Sequence, residues 1–352
     1  MKKIILTGGG TAGHVTPNLA LVPRLTKDGY EIVYVGAKNG MEKKLAEAAG
    51  LRYVGISAGK LRRYLNIKNL TDVFAVLKGC ADALGVVRKE KPSVVFSKGG
   101  FVTVPVVAAA KLCGVPVVLH ESDITPGLAN RLSLPFARAV CCAFPEAAKK
   151  IPRAIVTGSP IRGEIFNGDK EKGLKICGFN KRTPVLLVIG GSSGSKKINA
   201  CVRGALRKLQ NDWQVVHVCG AGNIDAGLNA PGYKQFEFLS AELPHVMAAA
   251  DCVVSRAGAN SIFEFLALAK PNLLIPLGLD ASRGDQILNT KSFEERGFSK
   301  VLNEENLNEE SLTKAVWELN AEKEKYTAKM KAAGVASGVD AVCEVIEKYA
   351  KD

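Results

Sequence analysis

The stretch "ILTGGGTAGHVTPNLAL", residues 5–21, sets three consecutive glycines and then a histidine between an apolar run and a helical repeat. Lys2 to Thr7 reads as a first strand, and from Pro17 onward Leu19, Val22 and Leu25 recur at helical spacing. The glycines therefore stand at a strand-to-helix turn. There glycine admits positive φ and lets a ligand approach the backbone, while the first N–H groups of the helix can bind an anion such as phosphate. Gly8, Gly10 and Gly13 also satisfy the G-x-G-x-x-G spacing of dinucleotide binders, which asks for an acid at the end of the second strand. That strand, "EIVYVGAKNG", ends in Gly36, Ala37 and Lys38. The NAD reading loses its second half, and an NADP reading rests on Lys38 alone.

Working outward, "KKIILTG", "EIVYVGA", "RYVGIS", "SVVFSKGG", "PVVLHES", "AVCCAF" and "AIVTGSP" alternate with helical stretches, as in a parallel sheet covered on both faces. The plan then restarts. "TPVLLVIGGSSGSKKINACVRGAL" again gives a buried strand, a Gly-rich turn and a helix, followed by "WQVVHVCG", "QFEFL", "DCVVSRAG", "PNLLIPLG" and "FSKVL". The expected fold is α/β, with two doubly wound Rossmann-like domains facing a cleft, over 1–160 and 161–352 and joined near Ser159 to Glu164. The last helical stretches, from about Leu312, cover the second sheet, with the final one a candidate to cross back to the first. Ligands of open α/β sheets bind beyond the carboxyl ends of the strands. Three Gly-rich turns qualify: Gly8 to Gly13, Gly99–Gly100 and Gly190 to Gly194.

The chain has 352 residues, 47% hydrophobic and 23% charged, and a net charge of +14. Residues 1–160 hold 23 Lys and Arg against 10 Asp and Glu, whereas 161–352 hold 25 against 24. Only the first half calls for an anionic partner. No recognition helix, aromatic RNP run or arginine-rich arm points to nucleic acid. An anionic membrane surface or an acidic lipid-linked substrate is the alternative. The segment "GKLRRYLNIKNLTDVFAVLKG", 59–79, mixes Lys60, Arg62, Arg63, Lys68 and Lys78 with Leu61, Leu65, Ile67, Leu70, Phe74 and Leu77, which suits an interface. From about Asn69 it also reads as an ordinary amphipathic helix on the sheet. Nine scattered cysteines without a C-x-x-C pair read as reduced core thiols. With no apolar run of about 18 residues and no signal-peptide pattern at the start, a cytosolic protein held peripherally at the inner membrane face is expected.

In "GGGTAGHVTPNLAL" (8–21), "SKGGFVTVPVVAAAKLCGVPVVLHESDITPGLANRL" (97–132), "TGSPIR" (157–162), "GGSSGSKKIN" (190–199), "RAGANSIFE" (256–264) and "DQILN" (285–289), the chain resembles the peptidoglycan glycosyltransferases of the MurG type. These add N-acetylglucosamine to a lipid-linked muramyl-pentapeptide. The resemblance runs in order over nearly the whole chain. It implies a two-domain GT-B fold whose first domain takes the lipid acceptor and whose second takes UDP-N-acetylglucosamine. Position by position, it implies that Thr11, Ala12 and Gly13 approach the sugar and acceptor phosphates. Arg162 and Ser192 would meet the donor diphosphate, and Leu239 would pack beside the uracil. Ala259, Asn260, Ser261, Ile262, Phe263 and Glu264 would hold the uridine and phosphates, and Gln286 the sugar hydroxyls. Helix N–H groups after Gly258 suit a diphosphate, and Glu264 offers two acceptor oxygens to a ribose diol. Taken alone, Glu264 reads as a favourable first-turn acid. The commoner pattern has His-Glu-Gln-Asn where this chain has His120, Glu121, Ser122 and Asp123, and often Gly at Ala12. Ala12 changes little if its backbone angles are ordinary.

The implied chemistry is displacement of UDP from the anomeric carbon by a muramyl 4-hydroxyl, with inversion. It needs a base for the hydroxyl and positive potential for the leaving diphosphate. His14 is the preferred base, beside the phosphate loop and with an ordinary pKa near 6.5; Asp123 is the other. Asp123 also reads as a partner for a substrate hydroxyl, or as the cap of a helix starting near Thr125. No Asp-x-Asp occurs, and His14, His120, His217 and His245 show no metal-ligand spacing, so neither a metal nor a cofactor is expected. Rival readings are a sugar-nucleotide epimerase or lipid glucosyltransferase on the same fold, an NADP oxidoreductase, and a non-catalytic membrane adaptor.

Overall fold

Thirteen strands, all paired in parallel, form two sheets in the computed structural model, which describes residues 2–59, 68–191, 194–279, 282 and 284–351, without the side chains of 68–76. The described chain divides into two units, Met1–Arg162 with Ser337–Asp352, and Gly163–Ala336.

The first unit alternates β1 (Lys2–Thr7), α1 (Ala12–Lys27), β2 (Tyr30–Ala37), α2 (Met41–Ala48), β3 (Arg52–Ile56), α3 (Lys68–Glu90) and β4 (Val94–Ser97). It continues through α4 (Thr103–Leu112), β5 (Val117–Glu121), α5 (Leu128–Ser133), β6 (Ala139–Cys142), α6 (Pro145–Ala148) and β7 (Ala154–Val156). The sheet order is β3-β2-β1-β4-β5-β6-β7. The second unit runs α7 (Lys170–Cys177), β8 (Val185–Ile189), α8 (Lys196–Leu209), β9 (Gln214–Val218), β10 (Tyr233–Phe236), α9 (Leu243–Ala249) and β11 (Cys252–Ser255). Then come α10 (Ala259–Ala267), β12 (Asn272–Leu274), α11 (Asp285–Glu295), β13 (Lys300–Val301), α12 (Glu309–Ala321) and α13 (Lys323–Ala332). Its sheet order, β10-β9-β8-β11-β12-β13, repeats that of the first six strands of the first unit.

Strands covered on both faces need apolar side chains at successive positions, and Ile4, Ile5 and Leu6 of β1 are all fully buried. Each contributes about 1.5–3 kcal/mol of burial. The last helix, α14 (Val339–Tyr349), packs on α1 and the first sheet through Val342, Cys343, Val345 and Ile346, which join Leu21, Leu25 and Phe96 in one core. All nine cysteines are free thiols, six of them buried.

Two local expectations shift. The segment "QFEFL" is strand only as far as Phe236: β10 begins at Tyr233, whose buried phenol bonds His217, and Phe238 is exposed beyond the strand's end. The helix expected near Thr125 begins at Leu128 with Gly127 at its N-cap, so Asp123 does not cap it.

Candidate active site

In each sheet the strand order reverses direction beside the first strand, between β1 and β4 and between β8 and β11. Loops leaving such neighbouring strands diverge and open a crevice at their carboxyl ends. The Gly-rich turns lie at these two points.

In the first unit the turns after β1 and β4 touch backbone to backbone. The N–H of Gly9 donates to Gly99 O at 3.3 Å. A Cβ on Gly100, at φ +95°, would stand 2.2 Å from Gly9 O, so only glycine fits. Glu42, fully buried at the start of α2, braces the arrangement: Oε1 accepts from Ala37 N at 2.9 Å and Oε2 from Gly10 N at 3.3 Å. The carboxylate next to the end of β2 thus closes the loop, and the Gly10 N–H is engaged by protein. This overturns the dinucleotide reading, because the place of a ribose-binding acid is filled by a group already bonded on both oxygens.

The start of α1 is the next part of this loop. Thr11 is the N-cap in extended conformation, without a side-chain cap bond, and Thr11 and Gly13 are exposed. Ala12 opens the helix and is absent from the residues with positive φ, so its methyl costs the loop nothing. His14 lies one turn in. Its Nδ1 sits 3.0 Å from Gly9 O and 3.2 Å from Thr11 Oγ1. A carbonyl only accepts, which assigns the proton of the neutral ring to Nδ1 and the lone pair to Nε2.

Asp123 follows β5 in a loop shaped by Glu121. Glu121 is buried and takes three donors: Asp123 N at 3.0 Å, Gly127 N at 3.1 Å and Asn130 Nδ2 at 2.8 Å. Burial, and then the Asp123 charge, push its carboxyl pKa up. Lys98, buried at the end of β4, donates from Nζ to Ser122 Oγ. His120 donates from Nε2 to Gly158 O at 3.1 Å, and burial holds its pKa well below the ordinary value, so it is neutral.

In the second unit Ser192 lies outside the described residues, but its turn is anchored by Ser195, which caps α8 by accepting from Ile198 N at 3.4 Å. Gly258 is the N-cap of α10, so the N–H groups of Ala259, Asn260 and Ser261 open the helix. Ile262 donates to Gly258 O, and the side chains of Ile262 and Phe263 are buried, Phe263 edge-on to Phe293. Glu264 stands in the second turn, which removes its reading as a first-turn acid. Leu239 is half-buried just past the end of β10. Gln286, in the first turn of α11, accepts from Leu277 N at 3.0 Å through Oε1. Arg162 closes the first unit, its Nε buried with no partner among the described residues.

Arg256 ties loops of the second unit together. It is buried, donating from Nη1 to Ile275 O at 3.2 Å and Pro276 O at 3.3 Å and from Nη2 to Ser195 Oγ at 2.7 Å, and it pairs with Glu304. Glu304 in turn accepts from Gly278 N at 3.3 Å. Glu42, Lys98 and Arg256 escape a reading of motifs. Lys98 and Arg256 had a signal, a charge set directly after a short buried strand that ends in serine; Glu42 looks like any surface acid of "MEKKLAEA".

Paired Gly-rich crevices on two doubly wound sheets define the class, and comparison with known proteins agrees. Residues 4–142 match the glycosyltransferase family 28 N-terminal domain and 185–344 its C-terminal domain. The chain belongs to glycosyltransferase family 28. It is 54% identical over 351 residues to a protein of Clostridium tetani called UDP-N-acetylglucosamine--N-acetylmuramyl-(pentapeptide) pyrophosphoryl-undecaprenol N-acetylglucosamine transferase, covering 99% of this chain and 98% of that one. A protein of Clostridium novyi with the same name is 56% identical, at 99% of each chain. Among solved structures, MurG of Acinetobacter baumannii is similar in fold, with a TM-score of 0.77 at 22% identity, over 99% of this chain and 100% of that one. The UDP-GlcNAc 2-epimerase of Neisseria meningitidis, at 14% identity, has a TM-score of 0.69 over 99% and 100%.

Proposed function

We propose that this chain transfers N-acetylglucosamine from UDP-N-acetylglucosamine to the 4-hydroxyl of lipid-linked N-acetylmuramyl-pentapeptide, a step of peptidoglycan synthesis. The observation that carries the reading is identity of 54–56% over whole chains with relatives bearing that activity in their names. The first unit, 1–160 in the sequence reading, takes the acceptor, and the second takes the donor. Ala259 to Ser261 receive the donor diphosphate on helix N–H groups, with Ser192 and Arg162, whose buried Nε supports a role as anion partner. Glu264 accepts from the ribose hydroxyls, Leu239 packs on the uracil and Gln286 donates to the sugar. Thr11, Ala12 and Gly13 meet the acceptor phosphates and the sugar.

In the reaction the muramyl oxygen attacks the anomeric carbon as the bond from that carbon to the UDP oxygen breaks. The electron pair leaves with UDP, whose growing charge the helix N-termini and Arg162 stabilise. Nε2 of His14 takes the hydroxyl proton, and Asp123 orients the acceptor.

Attachment at the cytoplasmic membrane face is part of the same proposal. Leu77, Leu112, Leu132 and Phe136 are exposed on α3, α4, α5 and the turn after it, elements packed on one another, with Lys78, Lys111, Arg131 and Arg138 exposed among them. Residues 60–67 of the basic segment lie outside the described residues. No helix among the described residues is long and apolar enough to cross a membrane.

The deciding assay follows UDP release from UDP-N-acetylglucosamine with and without a soluble lipid-linked muramyl-peptide analogue. Acceptor-dependent release with one disaccharide product per UDP is expected. Release at the same rate without acceptor, or an epimerised sugar in place of the disaccharide, overturns the reading.

A further inference from the structure

The peptide unit between Gly9 and Gly10 is held at both ends. Its N–H donates to Oε2 of Glu42 at 3.3 Å, and its carbonyl oxygen accepts from Nδ1 of His14 at 3.0 Å. A trans peptide is planar with these two groups pointing opposite ways, so whatever fixes the N–H also aims the oxygen. The preceding unit is gripped likewise, but by other elements. Gly8 O accepts from the buried Tyr34 hydroxyl of β2 at 2.8 Å, and the Gly9 N–H donates to Gly99 O. The Thr11 hydroxyl, 3.2 Å from the same His14 nitrogen, can donate or accept and does not select a tautomer. The Gly9 carbonyl, which only accepts, does.

Glycine on both sides lets a peptide plane turn at little cost, so the aim of this carbonyl depends on what grips the N–H. Glu42 is fully buried in the first turn of α2, where a negative charge is favoured. Its second oxygen accepts from Ala37 N at 2.9 Å, at the end of β2. Glycines make room for the side chain: a Cβ on Gly9 would stand 2.6 Å from its Oε1, and one on Gly36 2.7 Å from its Cγ. Bonded on both oxygens, the carboxylate tolerates burial. It also polarises the amide it holds and strengthens the Gly9 oxygen as an acceptor.

We infer that Glu42 is a positioning residue for His14, acting through the Gly9–Gly10 peptide: it orients the carbonyl that keeps the imidazole proton on Nδ1, so that Nε2 carries the lone pair. The kinetic consequence rests on the transferase reading, in which His14 is the base; the tautomer does not.

The test uses the full chain with Glu42→Gln, His14→Ala and the double variant, and Tyr53→Phe as a control. Glu42→Gln keeps the shape but sets an NH2 group against one of the two N–H donors. With the amide oxygen retained on Ala37 N, the shorter bond, the Gly10 N–H loses its acceptor. Nitrogen NMR of isotope-labelled protein is expected to show His14 losing the Nδ1-protonated form. The kcat is expected to fall about tenfold or more, with KM for the sugar nucleotide within about twofold of the unmodified value. In the His14→Ala background the same substitution is expected to cost less than about twofold further. Tyr53→Phe removes a bond to Ala37 O at the same strand end and is expected to leave the tautomer unchanged. An unmoved tautomer in Glu42→Gln, losses that multiply in the double variant, or an equal tautomer shift in Tyr53→Phe overturns the inference. Should Glu42→Gln fail to fold, the unmodified chain decides: slow exchange of the Gly10 amide beside an Nδ1-protonated ring supports the linkage, and fast exchange or the opposite tautomer overturns it. A tautomer shift in Glu42→Gln, with no transfer by the unmodified chain, sinks the transferase reading and leaves the linkage. Transfer with an unmoved tautomer does the reverse.

Discussion

Nδ1 of His14 and the carbonyl oxygen of Gly9, 3.0 Å apart, decide which nitrogen of the ring can receive a proton. The glycine-rich turn thereby holds the imidazole in the tautomer a general base requires. Replacing His14 with Ala is expected to cost kcat about 10²-fold or more at saturating substrates, and to remove the acid limb that this ring contributes. UDP affinity is expected to stay at the unmodified value, since the proposed nucleotide contacts lie elsewhere. A variant with normal kcat and a raised KM makes His14 a binding residue, and the proton must leave by another route.

Glu264 stands in the second turn of α10, past the helix-opening N–H groups assigned to the diphosphate. Loss of a carboxylate that accepts from ribose hydroxyls costs about 1–3 kcal/mol, so Glu264→Ala is expected to weaken UDP binding about tenfold or more. Calorimetry on the folded variant measures this, and an unchanged affinity removes the ribose assignment.

Membrane attachment through the first unit is expected to depend on anionic lipid and to weaken with salt, because Lys78, Lys111, Arg131 and Arg138 lie in water among the exposed apolar residues. Flotation with phosphatidylglycerol vesicles at low and high salt, against neutral vesicles, checks it. Equal binding to both lipids, or to neither, is the result that rules out an electrostatic anchor.

Stability of the second unit should fall in mild acid. His217 is fully buried, receiving the Tyr233 hydroxyl on Nδ1 and donating from Nε2 to Asn199 Oδ1, and burial followed by Arg203 lowers its pKa to about 4. Below pH 6.5 the unfolded chain binds a proton that the folded ring refuses until near pH 4, so stability drops as pH falls through that window. The loss attributable to His217 is about 2 kcal/mol at pH 5 relative to pH 8. Both tryptophans, Trp213 and Trp317, belong to the second unit, so urea unfolding followed by tryptophan fluorescence reads it selectively. His217→Gln is expected to flatten the pH dependence; an equally steep one assigns the effect to other groups.

The repeated strand, glycine turn and helix made both sheets legible, because buried parallel strands demand apolar runs and tight turns demand glycine. The glycosyltransferase reading came from motifs at those turns. What stayed hidden was set by tertiary packing. The end of β10 depends on where its ladder with β9 stops, not on the apolarity of Phe238 and Leu239. The start of α5 depends on Glu121 holding the Gly127 N–H. Glu42 is an ordinary charge in the sequence, Lys98 and Arg256 show only as charges at the ends of strands, and all three become structural only when loops far apart in the chain meet around them.

Residues 337–352 close the core that residues 1–162 begin, so the second unit is, in chain order, an insertion into the first. On the ribosome the whole of 163–336 is made before Val342, Cys343, Val345 and Ile346 emerge to cover Leu21, Leu25 and Phe96. The half read as taking the donor can therefore fold as soon as it is made, while the half read as meeting the membrane stays without its last layer until residues 337–352 have followed.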